Sequence, residues 1–128
     1  MVEVKLGSGE LSRLLAEMNA AGGFPISILT DRHGFPIASA AAPGQDADRQ
    51  SAVVALVQKT AIQVQEQLGM AQTDEISVYD ANGQRLVCRP FKANEHDLIL
   101  AVLVSDRNQS YRRLTTKAVQ TIRRLWRL

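Results

Sequence analysis

The chemistry open to this chain is limited by which reactive residues it has and how they are spaced. Metal binding needs His, Cys or carboxylate ligands at short recurring intervals. The two histidines, His33 and His96, are far apart and both sit in turn-like segments, where a solvated imidazole is the usual case. Nucleophilic chemistry needs an activated thiol or hydroxyl. Cys88 is the single cysteine, placed in an alternating, strand-like stretch, and no serine has the strand-turn-helix context of a nucleophile elbow. Phosphate cradling needs a glycine-rich loop after a strand, with a lysine at fixed spacing, and Gly7-Ser8-Gly9 has neither. No catalytic residue, cofactor or metal site is assigned, and the chain reads as a non-enzyme.

One charged cluster could contact a polyanion. Arg112, Arg113, Lys117, Arg123, Arg124 and Arg127 fall in the last 17 residues with no acid among them. Removing those six from fifteen basic residues leaves nine against thirteen acids, so the rest of the chain carries −4. Few aromatics accompany the cations, and Tyr111 and Trp126 lie on or near the apolar stripe of the same segment. A solvated or protein-facing basic surface is therefore preferred to a nucleic-acid site.

The frame that positions these residues is one domain, 1–128, long enough to bury a core without a disulfide or metal. Its 45% hydrophobic and 22% charged content is that of an ordinary soluble protein. No apolar run approaches the roughly 18 residues that span a bilayer. The start, MVEVKLGSGE, lacks the apolar core of a signal peptide, and the lone cysteine suits a reducing, cytoplasmic location.

Taken in order, Ser8 reads as the N-cap of a first helix with Leu11, Leu14, Leu15 and Met18 on one stripe, ending at Gly22-Gly23. Strands 24–30 and 35–40 flank the turn Asp31-Arg32-His33-Gly34, and Pro36 marks the second of them as an edge. A long helix spans about 46–68, closed by Gly69. Strands 75–79, 84–91 and 98–104 follow, the second with a wet face and the third apolar on both faces, with a polar loop over 92–96 between them. The last helix takes Asp106 or Asn108 as its N-cap and Tyr111, Leu114, Ala118, Ile122 and Leu125 as its stripe. The topology is αββαβββα, an α+β fold. Hairpin pairing, with the two most apolar strands joined, gives the strand order 2-1-5-4-3.

Two surfaces remain without a partner in that scheme. At about 100° per residue, Val53, Val57, Val64 and Leu68 centre one stripe of the long helix, with Val54 and Ala61 beside it. Ser51, Ala55, Gln58, Ile62 and Gln65 form a second, small and uncharged strip. Either this is one wide core face, or the second strip meets another protein. The third strand, carrying Ile76 and Val78, is a free edge that would invite aggregation unless paired. Ser51, Ala55, Gln58, Ile62, Gln65, Ile76 and Val78 are together read as a homodimer interface.

The hairpin Ile28-Leu29-Thr30-Asp31-Arg32-His33-Gly34-Phe35-Pro36-Ile37-Ala38-Ser39 is similar to the leu-val-asp-x-x-gly-x-x-ile-ala-ser pattern of the roadblock/dynein light chain family. The long helix after an acidic start, and Leu98-Ile99-Leu100-Ala101-Val102-Leu103, extend the resemblance over residues 11–125. It implies a five-stranded antiparallel sheet with the long helix on one face and the terminal helices on the other. It also implies dimers that pair the long helices and continue the sheet across the third strand.

Members of that family act without chemistry of their own, as scaffolds or regulators of Ras-like small GTPases and as adaptors on dynein motors. A short single-domain member resembles the bacterial regulators of the gliding-motility type, which stimulate GTP hydrolysis. By that resemblance the outward polar side of the long helices, Asp48, Arg49, Lys59, Gln63, Glu66 and Gln67, would meet a Ras-like small GTPase. The alternative is a small-ligand-sensing α+β domain of profilin-like or PAS-like layout. That reading needs a pocket between sheet and helix with converging polar groups.

Overall fold

The computed structural model describes residues 2–126, with side chains from residue 9 on. Its elements run α1 (Val2–Gly22), β1 (Ile26–Asp31), β2 (Pro36–Ala41), α2 (Ala47–Leu68), β3 (Ile76–Tyr79), β4 (Arg85–Ala93), β5 (His96–Val104) and α3 (Arg112–Leu125). The five strands form one antiparallel sheet in the order β2-β1-β5-β4-β3, as the hairpin argument predicts. β5 lies at its centre, and Leu98 through Val102 and Val104 are all buried, as expected of a strand covered on both sides.

The larger core lies between the sheet and the terminal helices. Leu11, Leu15 and Met18 of α1 and Ala118, Val119 and Ile122 of α3 close over Leu29, Val87, Phe91, Leu98, Leu100 and Val102. Asn19 Nδ2 donates to Ala40 O at 3.0 Å, fixing α1 to β2. On the opposite face a smaller cluster joins Val54 of α2 to Cys88, Ile99 and Ala101.

Four local expectations change. Ser8 lies inside α1, not at its start, because glycines 7 and 9 weaken a helix interior by about 1 kcal/mol each without ending it. Asp106 and Asn108 do not cap α3, which begins after Tyr111 with no side-chain cap. Asp106 instead accepts from Asn108 N and Gln109 N in a turn. The 92–96 loop shrinks to two residues, Asn94 and Glu95, since Asn94 adopts φ 54 and lets Ala93 pair with His96. The wet face of β4 is covered, its arginines Arg85 and Arg89 lying under α3 and the 107–109 segment.

Pro36 sits on the edge strand β2, where a missing donor costs least. Pro90 lies in β4 beyond the point where β3 pairs with it, so that stretch too is locally an edge.

A helix and an edge strand as candidate protein-binding surface

α2 is delimited by its own sequence. Asp46 accepts from Arg49 N at 3.1 Å as N-cap, and Gly69 ends the helix at φ 66. No glycine or proline interrupts the 22 residues between. The side facing the sheet carries small or short residues at its buried positions, Ser51, Val54 and Ala61. Small side chains let the helix come down close. At Gly34 of the β1–β2 turn the backbone nearly touches Ser51 and Ala55.

This overturns the expected centre of the stripe. Val54 and Ala61 occupy it, while Val53, Val64 and Leu68 are exposed. The helix is rotated toward its smaller residues because a line of valines and leucines would hold it further from the sheet. The expected interface strip is correspondingly drawn inward. Ser51 is buried within the chain and so offers nothing to a second protein. Ala55, Gln58 and Gln65 are half-buried, and Ile62 is 39% exposed at the rim of a cleft beneath the helix.

What α2 presents to solvent is a different apolar set. Val53 and Val64 lie on the flank nearest Val57, which packs with Ile76 and Leu86 against the smaller core cluster, and Leu56 points outward next to them. Leu56 is 64% exposed, and in β3 Val78 is 52% exposed. Fully burying one such side chain is worth about 1.5–3 kcal/mol. Leu56 points some 160° from Val54, so its exposure follows once the buried centre is known; the expected centre on Val53 hid it. β3 pairs only with β4, leaving its other side open, as the strand order predicts.

The open edge is nevertheless held firmly. The Thr73 N–H and hydroxyl both donate to Gln65 Oε1, tying the approach to β3 onto α2. Arg112 donates to Glu75 Oε1 at 2.6 Å and to Asp74 Oδ2 at 2.7 Å, and Tyr111 OH donates to Glu75 Oε2 at 2.5 Å. Partial burial pushes the Glu75 carboxyl up, but hydrogen bonds from Tyr111, Ser77 and Arg112 outweigh it and hold the group below its ordinary value. The bond from Arg112 likewise holds Asp74 low.

At the far end of β3, the buried Arg85 guanidinium lies 4.8 Å from the ring centres of both Tyr79 and Tyr111. It donates to the carbonyls of Arg107 and Gln109. With no carboxylate paired to it among the described residues, this cation is stabilised by two ring faces and two peptide dipoles.

The six polar residues expected to meet a partner, Asp48, Arg49, Lys59, Gln63, Glu66 and Gln67, are all exposed on α2. Of the two histidines, His33 is exposed in its turn and His96 stacks edge-on to Trp126 at 5.6 Å. Burial pushes the Cys88 thiol up to about 12. Among the described residues no group of His, Cys, Asp or Glu could hold a metal ion, and no helix is long and apolar enough to cross a membrane. Several cations of the last helix are engaged. Besides Arg112, Arg123 donates to Lys92 O at 2.9 Å and Arg124 to Thr121 Oγ1 at 3.3 Å, while Arg127 lies outside the described residues.

Neither a protein-family model nor a curated protein sequence matches the chain. Solved structures do. A sheet of order 2-1-5-4-3 with one long helix on one face and two on the other is the roadblock fold, and this chain has it. It superposes on a roadblock/LC7 domain from Streptomyces avermitilis with a TM-score of 0.71, at 14% identity over 89% of this chain and 92% of that one. The particular likeness is to MglB. The TM-score is 0.75 against an MglB with tetrameric arrangement, at 20% identity over 93% of this chain and 89% of that one. Against the gliding protein MglB from Thermus thermophilus it is 0.72, at 21% identity over 93% and 90%.

Proposed function

We propose that the protein works as a homodimer and serves as a non-catalytic regulator or scaffold for a Ras-like small GTPase, with stimulation of GTP hydrolysis as one mode of that regulation. One observation carries the reading: α2 exposes an apolar flank and β3 an unpaired edge, and Val57 of the first and Ile76 of the second pack against the same small core cluster, so a single partner copy could cover both. Val53, Leu56, Val64 and Val78 are its apolar contacts, with Ile76 beneath. The likeness in fold to MglB supports the reading.

Pairing across a two-fold axis would set two copies of Asp48, Arg49, Lys59, Gln63, Glu66 and Gln67 on one platform. That platform is rich in directional donors and acceptors and is the proposed seat of the GTPase. The sequence has no phosphate-binding loop, so acceleration would act through the partner's own switch segments, or through an inserted arginine such as Arg49.

Light scattering of the purified protein and pull-down with a Ras-like GTPase in its GDP and GTP forms test the two halves of the reading. A monomer at micromolar concentration removes the dimer. No capture of either nucleotide form removes the GTPase.

A further inference from the structure

Beneath the C-terminal half of α2, on its other flank, the helix stands off the sheet over a cleft of about 350 Å³. That volume lies within the range of small-molecule sites. Ile62 of α2 and Pro90 of β4 give it an apolar wall, while Leu98 and Ile99 of β5 line it but are almost wholly buried, and the rest of its lining is largely polar. Arg32 and Lys92 line it too, and both pair with Asp97, at 3.7 and 3.3 Å. Two cations share one carboxylate, so this group carries a surplus of one positive charge. Gln58 also lines the cleft, and its Oε1 is buried with no hydrogen-bond partner.

A buried acceptor left unpaired is unfavourable, because it has given up water without a replacement donor. Gln65, two turns further along and also lining the cleft, has its Oε1 satisfied by Thr73. Gln58 therefore stands apart as a polar group whose partner is not supplied by the chain.

We propose that this cleft is a binding site for a small organic acid. The ligand has an apolar body, a carboxylate that shares Arg32 and Lys92 with Asp97, and a hydroxyl or amine that donates to Gln58 Oε1. Each part answers one observation: the apolar wall of Ile62 and Pro90, the surplus positive charge and the unpaired acceptor. The site lies on the flank of α2 away from Val53 and Val64, two of the apolar contacts proposed for the dimer.

para-Hydroxybenzoate has all three parts, benzoate lacks the donor and para-cresol lacks the carboxylate. In amide NMR titrations, para-hydroxybenzoate is expected to shift residues 58–65, 72–73 and 97–99. It should bind about tenfold more tightly than either analogue, the size of one buried hydrogen bond or one shared charge. Gln58→Leu should reduce it to the level of benzoate, and Lys92→Gln to that of para-cresol. Equal affinity of the three compounds for the wild-type protein overturns the proposal, as do shifts scattered outside the cleft. Lys92 is exposed, so its variant keeps the test decisive should Gln58→Leu fail to fold.

Discussion

A β-carbon placed on Gly34 would lie 2.4 Å from that of Ala55 and 3.0 Å from the carbonyl oxygen of Ser51. Gly34 also holds φ at +86, a conformation that side chains rarely adopt. The turn thus needs glycine twice over, for backbone freedom and for helix approach. Gly34→Ala should cost about 2 kcal/mol or more in urea denaturation. Adding Ala55→Gly should relieve the closest clash only, leaving the Ser51 carbonyl contact and the backbone strain, and should itself cost about 1 kcal/mol as a glycine inside the helix. A Gly34→Ala protein as stable as the wild type would mean that α2 does not pack this closely.

Leu56→Glu changes a residue that touches little within one chain, so the protomer should stay folded with its melting temperature changed little. In the proposed dimer it sets two like charges near the two-fold axis. Light scattering should then show the mass halved at micromolar concentration. If Leu56→Glu and Val78→Glu both remain dimeric, the partner copy binds elsewhere.

Arg49→Ala and Lys59→Glu alter exposed side chains of α2 and should leave folding unchanged. Both should weaken capture of the GTPase, and Arg49→Ala alone should lower any stimulation of hydrolysis if the arginine is inserted. Binding that survives both changes would move the contact off α2.

Acid should loosen the strand edge first. Glu75 and Asp74 are held below their ordinary values of 4.5 and 3.8, so the unfolded chain binds protons more readily than the folded one. The stability they contribute is present above those values and is lost as the pH falls through the lowered, folded ones. Amide exchange at residues 74–79 should quicken below about pH 4 ahead of β5. Glu75→Gln should abolish most of that lead.

The fold was legible because the signals that define it are local. Asp46 and Gly69 bound α2, Asp31 to Gly34 make a turn, and the two-sided apolar run of 98–104 can only be a central strand. The rotation of α2 was not legible, because Val53 and Val54 are neighbours with identical side chains. Only the depth to which the helix sinks, set by Gly34 across the sheet, decides which one is inside. The placing of Arg85 was equally hidden, since its partners Tyr79 and Tyr111 come together only when β3 and the start of α3 meet. The exposure of the outward polar residues of α2 follows from their polarity; their role in binding is a proposal.

The grip on β3 comes from behind, through Arg85, Tyr111 and Arg112, on the face opposite α2, and this bears on the entropy of association. Fixing one residue's backbone costs about 1–2 kcal/mol. A free strand must meet that cost at the moment it pairs. Here folding has already met it for residues 76–79, so in the proposed dimer the second copy would encounter a preorganised edge. Arg85→Met, which touches no interface residue other than through Tyr79, should therefore slow association and weaken the dimer while both protomers remain folded. An unchanged association rate would show that the edge holds its shape without this clasp.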